Sequence, residues 1–219
     1  MRNYFRTLAY LIVLIGYSSA FSGSYEDFFT AIKRDDDKGV TALLNRGFDA
    51  NTLNPDAEHG LHLAIREPSL KVVSVLLAWE KIDVNVRNAK DENPLMLASI
   101  KGLTALAKQL IDKDADVNKP GWTPLHYAAT HGHLELMNLL LEHHAYIDAS
   151  SPNGSTPLML AAMYGTPAAV KLLLEAGADP LLRNEQNLTA IDFARQASRP
   201  DIVEIIAAAA RASQPAGKW

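Results

Sequence analysis

Cysteine is absent from the 219 residues. That excludes a disulfide framework, a thiolate nucleophile and a thiolate metal site. It also removes the lipid-bearing cysteine of a bacterial lipoprotein. No strong excess of one charge is present either, with 21 basic and 25 acidic side chains and a net charge of −4. A nucleic-acid binder usually presents a basic stripe to phosphates, so nucleic acid is not the expected partner. Aromatic residues are only 7%, yet apolar residues make up 48% and charged residues 21%, the balance of a soluble folded chain. The motifs of hydrolases and nucleotide binders are missing. There is no His-Glu-x-x-His, no Gly-x-Ser-x-Gly and no Gly-rich phosphate loop.

What is present begins with a distinct first segment, residues 1–20. Arg2 and Arg6 give a basic start, and the run Leu8 to Ile15 is apolar. Ser18 and Ala20 then stand at the −3 and −1 positions of a cut after Ala20. This three-part plan predicts a cleaved secretory signal peptide. The alternative is an uncleaved inner-membrane anchor, but the run is short against the roughly 20 residues that span a bilayer. No twin-arginine pair is present, which favours the general secretory route. Cleavage leaves 19 basic against 25 acidic side chains, or −6. No later segment is apolar and long enough to span a membrane.

The rest of the chain repeats. Residues 123–129 read Thr-Pro-Leu-His-Tyr-Ala-Ala, and 156–162 read Thr-Pro-Leu-Met-Leu-Ala-Ala. Weaker copies lie at 93–98, 59–64 and 189–194. Aligned on Leu61, Leu95, Leu125, Leu158 and Ile191, the separations are 34, 30, 33 and 33 residues. Stepping back 33 from Leu61 reaches Phe28, which makes six units starting near 26, 59, 93, 123, 156 and 189. Self-similarity at this period is the mark of a stacked repeat.

Local chemistry supports helix pairs. Thr123-Pro124, Thr156-Pro157 and Asn93-Pro94 place a capping oxygen before a proline that has no N–H to orphan. A second helix is predicted in each unit at Leu70–Trp79, Leu103–Lys113, Leu134–His143 and Ala168–Ala176, with Ile202–Ala212 in the last. Pro167 and Pro200 open two of them. Gly47, Asp114, His144 and Gly177 fall in register just after the second helices, where a left-handed residue is expected. In the second unit Glu80-Lys81 stand there instead, around a one-residue insertion. Ser24 opens the first helix in a variant of the capping box, and residues 33–38 form a solvated turn.

These motifs resemble the ankyrin repeat, over about residues 25–210. The resemblance implies an all-α solenoid of about six helix–turn–helix units with β-hairpin fingers. The organisation is then a signal peptide at 1–20, a linker at 21–24, the repeat domain at 25–212 and a tail at 213–219. It also implies an interaction module and not an enzyme. His62 and His126 stand where the family's imidazole ties neighbouring turns together, and His133 opens a second helix. His131 lies across a turn from His133, and His143 and His144 point apart on a helix end. No catalytic residue, metal ligand or cofactor follows from them.

The family generally binds partners on its concave face. Carried over by position, that face holds Ile100, Lys101, Trp122, Thr130, His131, Ser155, Met163, Tyr164, Leu188 and Arg195. Trp122, Met163 and Tyr164 are the kind of side chain that anchors interfaces, or else they cover the seams between units. The 30-residue spacing leaves Lys119-Pro120-Gly121 in place of a full finger. That is either a plain loop deletion or a notch in the binding face. Two glycosylation sequons, Asn153-Gly154-Ser155 and Asn187-Leu188-Thr189, fall on the same face. Sugar there would obstruct it, which favours a bacterial source. The whole is similar to exported bacterial ankyrin proteins. The expectation is a periplasmic monomer that binds a protein partner. A secreted effector acting on a host protein, and a non-catalytic accessory factor of an envelope enzyme, remain open.

Overall fold

The structure, a computed structural model, describes residues 23–213. The expected signal peptide, the start of the linker and residues 214–219 of the expected tail lie outside the described residues. The chain divides into two compact units at Ala89/Lys90.

The first unit holds two helix pairs. They are α1 (residues 23–33) with α2 (Asp37–Asn45), and α3 (Gly60–Arg66) with α4 (Leu70–Ala78). Phe28, Ile32, Leu44, Leu61, Leu63 and Leu76 are fully buried and form its core. The turn at 33–38 does more than meet solvent. Asp36 caps its own helix, accepting from the Gly39 N–H at 2.9 Å. Asp35, at φ 52°, reaches to the next pair and accepts from the N–H groups of Lys71 and Val72 at 2.9 and 3.0 Å. That satisfies the start of α4, whose own cap residue Ser69 makes no side-chain capping bond.

The second unit holds four pairs. The first helices are α5 (Pro94–Lys101), α7 (Pro124–His131), α9 (Pro157–Tyr164) and α11 (Ala190–Gln196). The second helices are α6 (Thr104–Ile111), α8 (Leu134–Glu142), α10 (Pro167–Glu175) and α12 (Pro200–Ser213). α7 packs between α5 and α9, and α9 between α7 and α11, so the first helices form one row. The second helices pack beside them in a parallel row. Ala128, Ala129, Ala161 and Ala162 are all fully buried, which lets the rows approach closely.

The caps follow the sequence. Asn93 Oδ1 accepts from the Met96 N–H at 2.9 Å, and Thr156 Oγ1 from the Met159 N–H at 3.4 Å. Left-handed residues close the second helices at Gly47, Asp114, His144 and Gly177, with φ of 91°, 63°, 63° and 100°. The first helices α5 and α7 end in left-handed glycines for a further reason. A Cβ on Gly102 would lie 2.7 Å from the His133 ring, and one on Gly132 would lie 2.7 Å from Thr166. Each glycine makes room for the side chain that precedes the second helix of the following pair, and Thr166 caps that helix.

The fingers differ from expectation. Among the described residues no strand forms, and one isolated antiparallel bridge joins Leu53 to His59. Two fingers are closed by a main-chain bond, Asn54 N–H to the Glu58 carbonyl at 2.9 Å and Asn184 N–H to the Leu188 carbonyl at 3.0 Å, and asparagine side chains take N–H groups of the tip. Asn54 Oδ1 accepts from the N–H groups of Asp56 and Glu58, and Asn184 Oδ1 from those of Gln186 and Leu188.

Asparagines tie successive fingers. Asn51 Oδ1 accepts from the Asp83 N–H and its Nδ2 donates to the Lys81 carbonyl, both at 2.8 Å. Asn118 repeats this with the Tyr146 N–H and the His144 carbonyl, again at 2.8 Å. Thirty residues on, the same register holds Asp148, which can only accept when ionised, from the Asp179 N–H at 3.2 Å.

Candidate partner-binding face

The face formed by the first helices of the second unit is built in three rows. Adding the repeat spacing to Leu97 gives Tyr127, Leu160 and Phe193. Adding it to Ile100 gives Thr130, Met163 and Gln196, and adding it to Lys101 gives His131 and Tyr164. Exposure rises from the first row to the third. In the first row Leu160 and Phe193 are 9% and 8% exposed while Leu97 and Tyr127 are half-buried, in the second Ile100, Thr130 and Met163 are half-buried, and in the third Lys101, His131 and Tyr164 are exposed, Tyr164 at 62%. The result is an apolar floor rising to a polar and aromatic edge. The floor row escaped the sequence reading because only positions free of the core were sought. The spacing itself was the available signal.

His126 links the fingers to this face. Its Nε2 donates to the Ser155 carbonyl at 3.0 Å, and its Nδ1 accepts from the Thr123 N–H at 3.1 Å. Burial drives its pKa down to about 4, so the ring is neutral near pH 7. His59 in the first unit is alike. It caps α3, with Nδ1 accepting from the Leu61 N–H at 3.1 Å. Burial, and then the nearby His62, lower its pKa to about 4. His62 is itself buried, with its ring 6.3 Å from that of His59. His59 and His126 are thus neutral groups held by hydrogen bonds within their repeats.

The ten residues singled out from the sequence fall in different surroundings. Ile100, Lys101, Thr130, His131, Met163 and Tyr164 come together on the second and third rows. His131 lies stacked on His133, with ring centroids 5.6 Å apart and planes 5° from parallel. His131 Nδ1 bonds to the Tyr127 carbonyl at 2.9 Å, and His133 Nε2 to the Ile100 carbonyl at 3.3 Å. Trp122 is half-buried at the finger base, edge-on to His126 with 5.3 Å between centroids, and 6.2 Å from Tyr127. It braces its own repeat as well as offering a surface. Leu188 is half-buried at the corresponding place of the last pair.

Two residues stand apart. Ser155 is 1% exposed, because its N–H bonds to Ser151 Oγ at 3.0 Å and its carbonyl holds His126. Its side chain is therefore not at the surface. Arg195 is in register with Ala162, Ala129, Ser99 and Ile65, all buried. In the last pair it is exposed and lies 3.5 Å from Asp192. Asp192 in turn replaces the buried Met159 and His126, and its carboxylate accepts from the Thr189 N–H and hydroxyl. Those bonds hold its pKa below the usual carboxylate value. Asp192 and Arg195 thus give the last pair a charged outer side where the pairs before it hold buried, uncharged side chains.

The shortened finger is anchored on both sides. Lys119 has a side chain only 2% exposed, and its Nζ lies 2.6 Å from Asp91 Oδ2 and 3.0 Å from the Pro120 carbonyl. Gly121, at φ 82°, has Pro152 on its other side, 3.5 Å from where a Cβ would sit. Nearby, the Tyr127 hydroxyl donates to the buried Glu92 at 3.4 Å. Burial, then Glu92, push the Tyr127 pKa up to about 12.

Among the described residues no three His, Asp or Glu side chains gather where they could hold a metal ion. No helix among them is long and apolar enough to cross a membrane. A row of short helix pairs with an apolar floor and a mixed edge defines a repeat scaffold that presents a surface.

The chain belongs to the ankyrin-repeat family. The family profile described as ankyrin repeats (3 copies) matches residues 28–120, 61–151 and 144–215. The chain is 33% identical to the mouse nuclear factor NF-kappa-B p105 subunit over 153 residues, covering 67% of this chain and 16% of that protein. It is 30% identical to the mouse B-cell lymphoma 3 protein homolog over 184 residues, covering 80% and 41%. It is 43% identical to mouse ankyrin repeat and SAM domain-containing protein 6 over 101 residues, covering 44% and 11%. The chain thus spans well under half of each of these relatives, all of them animal proteins. Ankyrin repeats generally mediate protein–protein interaction, and the family is typically non-catalytic.

Proposed function

We propose that this chain is an exported protein-binding module that recognises a periplasmic or envelope protein through the first-helix face of its second unit. The observation that carries the reading is the graded surface there. A floor of half-buried Leu97 and Tyr127 and nearly buried Leu160 and Phe193 lies beside Ile100, Thr130 and Met163, with Lys101, His131 and Tyr164 at its edge. Interfaces of this make combine an apolar centre with a polar rim. Tyr164 is the foremost anchor, since a large aromatic side chain left exposed at a helix end gains most when covered. Export rests on the basic, apolar and small-residue sequence of residues 1–20.

The test is capture from an envelope extract by the mature protein, beside a His131→Ala, Tyr164→Ala variant. Both side chains are exposed, so neither change opens the core, whereas Trp122 packs on His126 and is left intact. A single partner retained by the wild type and lost by the variant, at equal thermal stability, supports the reading. Equal capture by both proteins places binding elsewhere and refutes the assignment of the face.

A further inference from the structure

In four of the first five helix pairs the second helix closes in one way. A left-handed residue follows Arg46, Lys113, His143 or Ala176. The next N–H then folds back onto a leucine carbonyl. These bonds are Phe48 to Leu43, Ala115 to Leu110, Ala145 to Leu140 and Ala178 to Leu173, at 2.9–3.1 Å. The pair α3–α4 departs from this. Trp79 stands in the register of those polar or small residues, and its backbone is extended, at φ −73° and ψ 125°. The matching leucine carbonyl, that of Leu76, accepts from the Trp79 N–H at 3.1 Å. The inserted residue then carries the chain outward before the Ile82 N–H returns to the Trp79 carbonyl at 3.3 Å.

This detour opens a cavity of about 770 Å³ between the ends of α2 and α4, wholly within the first unit. Leu44, Phe48, Asp49, Trp79, Glu80 and Lys81 line it. Its size is that of a small-molecule site. Its electrostatics have one dominant sign. The C-termini of α2 and α4 both end there, each with partial negative charge from its last carbonyls. Two carboxylates, Asp49 and Glu80, outnumber the single lining cation, Lys81. The half-exposed indole of Trp79 supplies the aromatic face that attracts cations best. Arg46 and Lys113 hold this register in two other pairs, where a positive charge complements a helix C-terminus, and tryptophan brings none.

We propose that this cavity binds a small organic cation, an alkylated ammonium compound whose head meets Trp79 and the carbonyl ends while its stem lies against Leu44 and Phe48. An anion is disfavoured by the helix ends and carboxylates. A neutral apolar compound forgoes the attraction of the indole face and the carboxylates.

The experiment uses the full mature chain with Trp122→Phe and Trp219→Phe, which leaves Trp79 as the one tryptophan of three. Its fluorescence is titrated with choline, with the neutral isostere 3,3-dimethyl-1-butanol, and with a lysine-containing tripeptide. Saturable quenching by choline, with none by the isostere, is the expected result. Glu80→Gln keeps the fluorophore and the fold, and is expected to weaken choline binding roughly threefold, the scale of a partly exposed charge contact. Trp79→Leu, followed by calorimetry, is expected to weaken it roughly tenfold, within the range of a cation–aromatic contact. Equal response to choline and isostere, no saturable response, indifference to both substitutions, or binding of the peptide alone each overturns the proposal.

Discussion

Asp148→Asn is expected to stabilise the protein at neutral pH, and the structure says by how much. Asn51 and Asn118 each make two bonds to the next finger, one accepted and one donated. Asp148 makes only the accepted one, through either carboxylate oxygen to the Asp179 N–H at 3.2 and 3.3 Å. In the same register as the His144 carbonyl bonded by Asn118 stands the Gly177 carbonyl, to which an ionised carboxylate can offer nothing. The half-buried Asp148 carboxyl is also raised above its ordinary pKa, chiefly by burial, with the Asp179 charge adding to the shift. Asparagine restores a donor, worth about 1 kcal/mol for a neutral hydrogen bond. For a chain of this size that is a rise of roughly 2–4 °C in Tm. The sign with pH is fixed. A carboxyl raised in the fold favours its protonated form there, so the wild type gives up stability as pH rises from the unfolded value through the folded one. The advantage of Asp148→Asn therefore grows from pH 3 to pH 7. Thermal melts of both proteins across that range decide it. A variant no more stable than wild type at pH 7, or a gain that does not grow with pH, refutes the reasoning.

Three further outcomes follow from the same geometry. His59 and His126 both have pKa values lowered to about 4, so the stability they confer is complete above pH 6.5 and is lost as pH falls from there toward 4. Each loses about 2 kcal/mol by pH 5, so melts at pH 7 and pH 5 should differ by several degrees, and equal midpoints would contradict the neutral buried rings. Gly132→Ala places a methyl group 2.7 Å from Thr166 at φ 70° and should cost about 1–3 kcal/mol in chemical denaturation, whereas a cost below a few tenths would show that Thr166 moves aside freely. Lys119 is buried while Asp91 is largely exposed, so Asp91→Asn, which leaves the buried ammonium without its counter-charge, should destabilise more than Lys119→Met, and the reverse order would deny the ion pair its role.

Much of this fold was legible because its determinants are local and repeated. Pro94, Pro124, Pro157, Pro167 and Pro200 each stand at the first position of a helix, as the capping neighbours of the first three and the shared register of the last two implied. Asp114 and His144 were readable as left-handed only by register with Gly47 and Gly177, since neither residue type announces that conformation alone. What stayed hidden depends on neighbours across repeats. Asp35 caps a helix that begins 35 residues later, and no local pattern signals such a reach. Ser155 looks exposed in a turn sequence, yet Ser151 and His126 draw it inside. The fingers were expected as hairpins; two narrow to tight turns closed by a main-chain bond, with the Asn54 and Asn184 side chains holding N–H groups of the tip. Lys119 reads as a solvated charge in a short loop, yet its side chain is buried against the exposed Asp91, a contact no local pattern signals. Of the face itself, the exposed rows were visible residue by residue, while the floor required stacking the repeats and reading down each column.

The measurement that bears most directly on the central claim is site-specific photocrosslinking in envelope extract. A photoreactive phenylalanine analogue is placed at Tyr164 on the first-helix face, and separately at Asn138, exposed on the second-helix side. The account predicts one discrete crosslinked product from position 164 and none from position 138. A product from position 138 alone, or the same product from both, would contradict it.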